Sequence, residues 1–179
     1  MRIALRAAAV IDRLSRFFGV LASAAVLSAC LISAGAATAR YGLGVGSNAW
    51  LEIQWYLFGA MILLGGAVTL CRNEHVRVDL LYMLAGKRLR LWLDTFGLLL
   101  FLLPGMALMT VLSWPLFWES FRLQEMSDSA GGLIRWPAKL LLPLGFGLVT
   151  LQGLAELIRR IAALAGRAEV DTGYVRPEQ

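Results

Sequence analysis

Four long apolar stretches, separated by short polar segments, dominate the hydropathy pattern of this chain. They cover residues 17–39, 48–71, 95–118 and 136–158. A helix needs about 20 consecutive apolar residues to cross the hydrocarbon core of a bilayer. The pattern therefore predicts an all-α integral membrane protein with four transmembrane helices. We expect a single membrane domain over residues 1–179, ending in a polar cytoplasmic tail over residues 159–179.

The first stretch has a second interpretation. It ends in Ala37-Thr38-Ala39, which is similar to the cleavage site of a secretory signal peptide. However, the apolar region of a signal peptide is about 7–15 residues long, and this stretch runs for 23 residues without a charge. The length favours a retained transmembrane helix.

The third stretch and the segment before it carry further local signals. Pro104 falls in the middle of the third stretch, where a missing backbone N–H is expected to kink the helix. In the basic connector 72–90, Val76, Leu80 and Met83 recur with helical spacing, although residues 75–80 also alternate as a strand would. An unpaired strand at a bilayer surface leaves backbone groups unsatisfied, so we expect a short interfacial amphipathic helix between spans 2 and 3.

Lysine and arginine are distributed unevenly among the polar segments. Thirteen of the seventeen lie in residues 1–16, 72–90 and 159–179, and the other four fall towards the opposite face of the membrane. Because basic residues are retained on the cytoplasmic side, both termini and the connector are predicted to be cytoplasmic. Five of the six tryptophans then fall near the outer face, as expected of interfacial anchors: Trp50, Trp55, Trp114, Trp118 and Trp136.

Composition agrees with a membrane protein. Hydrophobic residues make up 59% of the chain and charged residues only 16%, against roughly 25% charged in an ordinary soluble domain. The net charge of +5 is explained by membrane topology, so no nucleic-acid partner is predicted. Cys30 and Cys71 fall at different predicted depths, so no disulfide is expected.

Candidate chemistry is sparse. No nucleotide-binding motif, nucleophile constellation, metal-ligand cluster or cofactor site is recognisable, and the only histidine, His75, lies in the connector. No enzymatic activity is predicted. Glu52 is the one acidic residue that could act within the membrane. It falls near the start of its span, and this position favours a structural or subunit-contact role over proton coupling.

Three separated patches are similar to the small membrane subunit of tripartite ATP-independent periplasmic (TRAP) transporters, the DctQ-type small permease. The resemblance covers residues 10–160, and the patches are closest to the branch named for mannitol, chloroaromatic compounds or 2-oxoacids. They read NAWLEIQWYLFGAMILLGGAVTLCRNEHVRVDLLY, LSWPLF and GGLIRWPAKLLLPLGF.

The resemblance implies a multi-pass protein of the bacterial inner membrane with no catalytic role. It also implies two partners besides membrane lipids: a large permease subunit that moves substrate with sodium, and a periplasmic substrate-binding protein that delivers a small organic acid. The small subunit would be a scaffold in this symport. We expect partner docking at the outer rim, where polar and aromatic groups share one level. The candidates are Trp50, Glu52, Gln54, Arg135, Trp136 and Lys139.

Other functions remain open from the residues alone. The main alternative is a stand-alone four-helix exporter that uses Glu52 as its proton carrier. A respiratory membrane anchor and a bundle-forming assembly factor are further possibilities.

Overall fold

The computed structural model describes residues 2–73 and 86–166, and these residues form a bundle of helices. The helices are α1 (Arg2–Leu43), α2 (Asn48–Cys71), α3 (Lys87–Gly97), α4 (Leu103–Leu123) and α5 (Trp136–Leu164). A single turn of π-helix, Leu98–Leu102, joins α3 to α4.

The predicted fold class is confirmed. Within the described residues, four helical stretches are long and apolar enough to cross a membrane. The third of them consists of α3, the π turn and α4. The stretches are Ile3–Leu43, Asn48–Cys71, Arg88–Leu123 and Trp136–Leu164.

Local signals explain where the helices begin and end. Gly44 follows α1 with a φ of +68°, a left-handed conformation that glycine adopts without strain. Ser47 then caps α2, because its hydroxyl accepts a hydrogen bond from the backbone N–H of Ala49 at 3.3 Å. At the end of α4, Gln124 takes a left-handed conformation and turns the chain into the next loop.

Pro104 lies in the first turn of α4, directly after the π turn. The wider turn is closed by the backbone N–H of Leu103, which bonds to the carbonyl of Leu98. A proline has no N–H to donate the next backbone hydrogen bond of a regular α-helix. The helix therefore changes its pitch at the point where the series of backbone hydrogen bonds is interrupted. A kink at Pro104 was the prediction, and the structure shows this local widening of the helix.

α5 is the central element of the bundle, since it contacts α1, α2, α3, α4 and the π turn. Its Gly145 lies so close to α2 that a Cβ there would be 2.6 Å from the Cβ of Leu63. The buried apolar cluster beside this crossing brings together Ala22, Leu64, Ala67 and Leu148. Close helix contact through small residues is typical of membrane bundles.

An apolar groove of about 570 Å³ opens between α1 and α4, with α5 as its floor. It is lined by Leu14 and Phe18 of α1, by Val111 and Trp114 of α4, and by residues of α5. The two flanking helices are therefore held together mainly through α5.

Some predictions fall on residues outside the described part of the chain. These include most of the expected interfacial helix, since residues 74–85 are not described, and also His75 and the end of the tail, residues 167–179. Residues 87–90 of the connector belong to α3. Orientation in the membrane stays a prediction. Following it, we call the end of the bundle that carries residues 44–47 and 124–135 the outer end, and the opposite end the inner end.

Candidate functional site

The outer loop, residues 124–135, is folded on itself rather than extended. Met126 and Ile134 form an isolated antiparallel bridge. Next to it, the backbone N–H of Ser127 donates to the carbonyl of Leu133 at 2.9 Å, and the N–H of Arg135 donates to the carbonyl of Glu125 at 2.8 Å. The loop thus has the backbone bonds of a small hairpin.

Glu52 attaches this loop to α2. Its carboxylate accepts hydrogen bonds from the backbone N–H of Leu133, at 2.7 Å, and from the hydroxyl of Ser127. The side chain is only 7% exposed, and both donors are neutral groups of the loop. A buried carboxylate needs such donors, so the folded loop and the charge of Glu52 stabilise each other.

Two neighbours of Glu52 on the same face of α2 make similar contacts. One turn before it, the amide of Asn48 donates to the carbonyl of Ala130 at 3.1 Å. One turn after it, the hydroxyl of Tyr56 donates to the carbonyl of Ile134 at 3.3 Å. Positions i, i+4 and i+8 of a helix share one face, so α2 presents a row of polar groups to the loop. We call Asn48, Glu52 and Tyr56 the loop latch.

Charged residues close the loop on its other side, against the start of α5. Arg135 lies 3.4 Å from Glu125 and 3.0 Å from Asp128, and Lys139 also bonds to Glu125. The hydrogen bond from Lys139 contributes most to lowering the pKa of Glu125 to about 2, with smaller contributions from Ser120 and then Arg135. The carboxylate of Asp128 is 92% exposed, so one charge of this group faces the aqueous phase.

A cavity of about 340 Å³ lies between the latch and these charges. Three of the six predicted rim residues, Glu52, Arg135 and Lys139, line it together. The sequence analysis did not single out the other residues that line it. They are Trp55, Tyr56, Ser127, Ser129 and Ala138.

The other three predicted rim residues lie elsewhere. Gln54 donates a hydrogen bond to the carbonyl of Trp50 at 2.9 Å, within its own helix. Trp50 lines a separate cavity between α1 and α2, together with Ile53. Trp136 packs edge-on against Phe121, with 5.4 Å between the ring centres. Sharing one level in the membrane did not bring these residues to one face, because residues two positions apart on a helix point in nearly opposite directions.

A second polar cluster, which the sequence analysis did not anticipate as a unit, lies at the inner end. Its centre is Gln152 of α5, which is fully buried. The Gln152 amide accepts from the hydroxyl of Ser15 at 2.8 Å and donates to Asp12 at 3.0 Å and to Glu156 at 3.4 Å. Gln152 therefore bonds both across helices and within its own helix.

Arginines of α5 complete this inner network. Arg159 binds Asp12 of α1 and, at 2.5 Å, Glu156. Arg160 is only 3% exposed and lies 2.5 Å from Asp94 of α3. We call Asp12, Ser15, Asp94, Gln152, Glu156, Arg159 and Arg160 the inner network. Each of its three carboxylates is paired with one of its two arginines, and such pairing is what buried charges require.

Neither cluster has the composition of a reaction centre. Within residues 2–73 and 86–166, no group of three or more His, Cys, Asp or Glu side chains is placed to hold a metal ion. In the outer cluster, hydrogen bonds and ion pairs hold a loop in shape. In the inner network, they join α1, α3 and α5.

Comparison with known proteins gives one match. Residues 29–163 match the family model described as "Tripartite ATP-independent periplasmic transporters, DctQ component". No curated protein sequence and no solved structure gives a significant match. The matched segment includes the loop latch, the outer loop and all of α5 except its last residue.

Proposed function

This chain belongs to the DctQ family of tripartite ATP-independent periplasmic transporters, and from that membership we propose that it is a scaffold for the large permease subunit. It is a multi-pass membrane protein and a transporter component. We also propose that this chain and the large permease subunit form a complex in the bacterial inner membrane, with the outer loop in the periplasm. This complex takes up a small organic acid together with sodium.

The observation that carries the scaffold role is the placement of the polar groups. They are concentrated in the loop latch at one end and in the inner network at the other, where each holds helices or a loop in place. Between these ends, large apolar side chains face outwards, including Leu27, Ile62, Leu108 and Val111. In a bilayer, such faces suit lipid or the apolar helices of a large partner.

The outer loop supports a more specific proposal, docking of the periplasmic substrate-binding protein. Because the loop latch holds the loop before any partner arrives, binding does not require the loop to be ordered, which lowers its cost. The loop also presents charges of both signs, since the exposed Asp128 lies beside the half-exposed Arg135. A complementary pair of charges on the binding protein would fix its orientation.

Reconstitution tests the scaffold role. A large permease subunit from the same organism is purified with and without this chain, and sodium-driven uptake of organic acids from a loaded binding protein is measured in liposomes. We expect the two membrane subunits to co-purify and uptake to depend on both. Full uptake by the large subunit alone, or no complex between them, would contradict the scaffold role.

Docking is tested separately with the variants Glu52→Ala and Arg135→Ala. We expect the complex of membrane subunits to persist while uptake that depends on the binding protein falls. Gln54→Ala is the matched control, because Gln54 lies on the same helix, does not line the cavity beside Glu52 and bonds to the backbone carbonyl of Trp50 in its own helix. Unchanged uptake in both test variants would remove the docking proposal and leave the scaffold role untouched.

The stand-alone exporter requires Glu52 to load and release protons facing a substrate. In the structure, the Glu52 carboxylate bonds to the outer loop, which favours a structural role. Proton-driven transport by the purified chain alone, lost in Glu52→Gln, would support the exporter instead.

A further inference from the structure

The inner section of α1, residues 3–16, has two distinct faces. One face is held in the bundle: Ala8 and Ser15 are fully buried, and Asp12 bonds to Gln152 and Arg159. At about 100° per residue, positions 8, 12 and 15 lie within about 60° of one another around the helix. The inner network therefore fixes the rotation of α1 about its own axis.

Three arginines share a different face of the same section. Arg6, Arg13 and Arg16 are all exposed, and they lie within about 80° of one another, centred about 120° from the buried face. We call these three residues the arginine face. Because all three side chains are exposed, this face does not pack against the other described helices.

In the described part of the chain, no acidic side chain offsets the positive charge of the arginine face. Asp12 is the only acidic residue of α1, and it is bound to Arg159 on the buried face. Among the described residues, no carboxylate forms an ion pair with Arg6, Arg13 or Arg16.

Depth and neighbours indicate what covers this face. Asp12 bonds to Arg159 near the inner end of α5. Arg13 and Arg16 follow Asp12 by one and four residues, so they lie within about 6 Å of that level at 1.5 Å per residue. The head-group layer on each side of a bilayer is roughly 5–8 Å thick. Exposed apolar side chains flank the arginines, including Val10 and Phe17. Cationic groups at phosphate depth, beside apolar groups, match an anionic lipid surface.

We propose that Arg13 and Arg16 bind the phosphate group of an anionic phospholipid in the inner leaflet, with Arg6 strengthening the attraction from further out. A guanidinium group binds phosphate through two parallel hydrogen bonds. The site keeps the inner end of α1 at a fixed depth beside the bundle. It belongs to this chain alone, so it does not depend on the proposed transport role.

The test is a lipid titration of the purified full-length chain in detergent, followed by native mass spectrometry. Phosphatidylglycerol is the anionic probe and phosphatidylcholine is the zwitterionic one. We expect phosphatidylglycerol to bind more tightly, and each of Arg13→Gln and Arg16→Gln to weaken its binding about fivefold, the factor that corresponds to about 1 kcal/mol per arginine near a lipid surface. Added salt should weaken the wild-type binding as well.

Arg40→Gln is the matched control, because Arg40 is an exposed arginine at the other end of the same helix. It should bind phosphatidylglycerol as the wild type does. Arg13→Lys and Arg16→Lys keep the charge but lose the paired hydrogen bonds, so they should bind phosphatidylglycerol more weakly than the wild type and more tightly than the glutamine variants. They also cover the case in which a glutamine variant fails to fold. Equal binding of the two lipids would overturn the proposal, as would an equal loss in Arg40→Gln. Loss of the large permease subunit from Arg13→Gln without any change in lipid binding would identify that subunit as the occupant instead.

Discussion

The close crossing of α2 and α5 at Gly145 leads to a quantitative prediction. In Gly145→Ala, the new Cβ would lie 2.6 Å from the Cβ of Leu63 and 2.8 Å from its carbonyl oxygen. Carbon atoms in contact prefer about 3.5–4.0 Å, and the obstacle includes backbone that cannot rotate away. The two helices must therefore separate by roughly 1 Å.

The size of the effect follows from two opposing contributions. Overpacking of a tight interface costs about 1–3 kcal/mol, whereas alanine recovers about 1 kcal/mol of helix propensity relative to glycine. We expect Gly145→Ala to lower the free energy of unfolding by about 1 kcal/mol, the middle of the resulting range of about 0–2 kcal/mol. Gly147 is the matched control, two residues along the same helix, because a Cβ there would lie 3.7 Å from the side chain of Thr110, an ordinary contact distance.

The assay is reversible unfolding in mixed micelles with increasing sodium dodecyl sulfate, followed by far-ultraviolet circular dichroism. Gly147→Ala should unfold at the same point as the wild type or slightly later, and Gly145→Ala should unfold earlier. If Gly145→Ala proves as stable as Gly147→Ala, the crossing is not limited by backbone contact and the reasoning fails.

Three further predictions concern the two polar clusters. In Glu52→Ala, the outer loop loses two hydrogen bonds and should exchange its amide hydrogens faster; unchanged exchange would show that Glu52 does not hold the loop. In Asp12→Asn, Arg159 loses one of its two carboxylate partners but keeps Glu156, so we expect the free energy of unfolding to fall by about 1.5 kcal/mol, the lower value for a hydrogen bond to a charged group. The double variant Asp12→Asn/Arg159→Gln should lose less than the sum of the single changes, and full additivity would contradict the coupling. The pKa of Glu125, lowered from 4.5 to about 2, means that its contribution to loop stability is complete above about pH 4.5 and is lost as the pH falls towards 2. Lys139→Gln should move this loss to higher pH, as measured by proteolysis of the loop with an acid-active protease, and an unchanged midpoint would exclude Lys139 as the cause.

Fold class could be predicted because the signal for a membrane helix is local. An uncharged run of about 20 residues identifies a span whatever surrounds it. The buried partners of Asp12 could not be found in this way. They lie 140 and 147 residues further along the chain, and their pairing depends on how α1 and α5 rotate against each other.

The candidate site was predicted in part. Glu52, Arg135 and Lys139 do meet at the outer end, whereas Trp50 and Gln54 do not join them, because membrane level was considered without helix rotation. The spacing of Asn48, Glu52 and Tyr56 contained the missing information. Three polar groups at i, i+4 and i+8 at the edge of an apolar helix indicate a common partner, and the 12-residue outer loop fills that role.

α5 belongs to both polar clusters, and this has a mechanical consequence. Lys139 near its start and Arg159 near its end are separated by about 30 Å at 1.5 Å per residue, which is the thickness of the hydrocarbon layer. α5 is one continuous helix between these two residues, although Pro143 near its outer end removes one backbone hydrogen bond. A force that tilts the outer loop would therefore be transmitted along α5 to the ion pairs of the inner network, with Pro143 as the most compliant point of the connection.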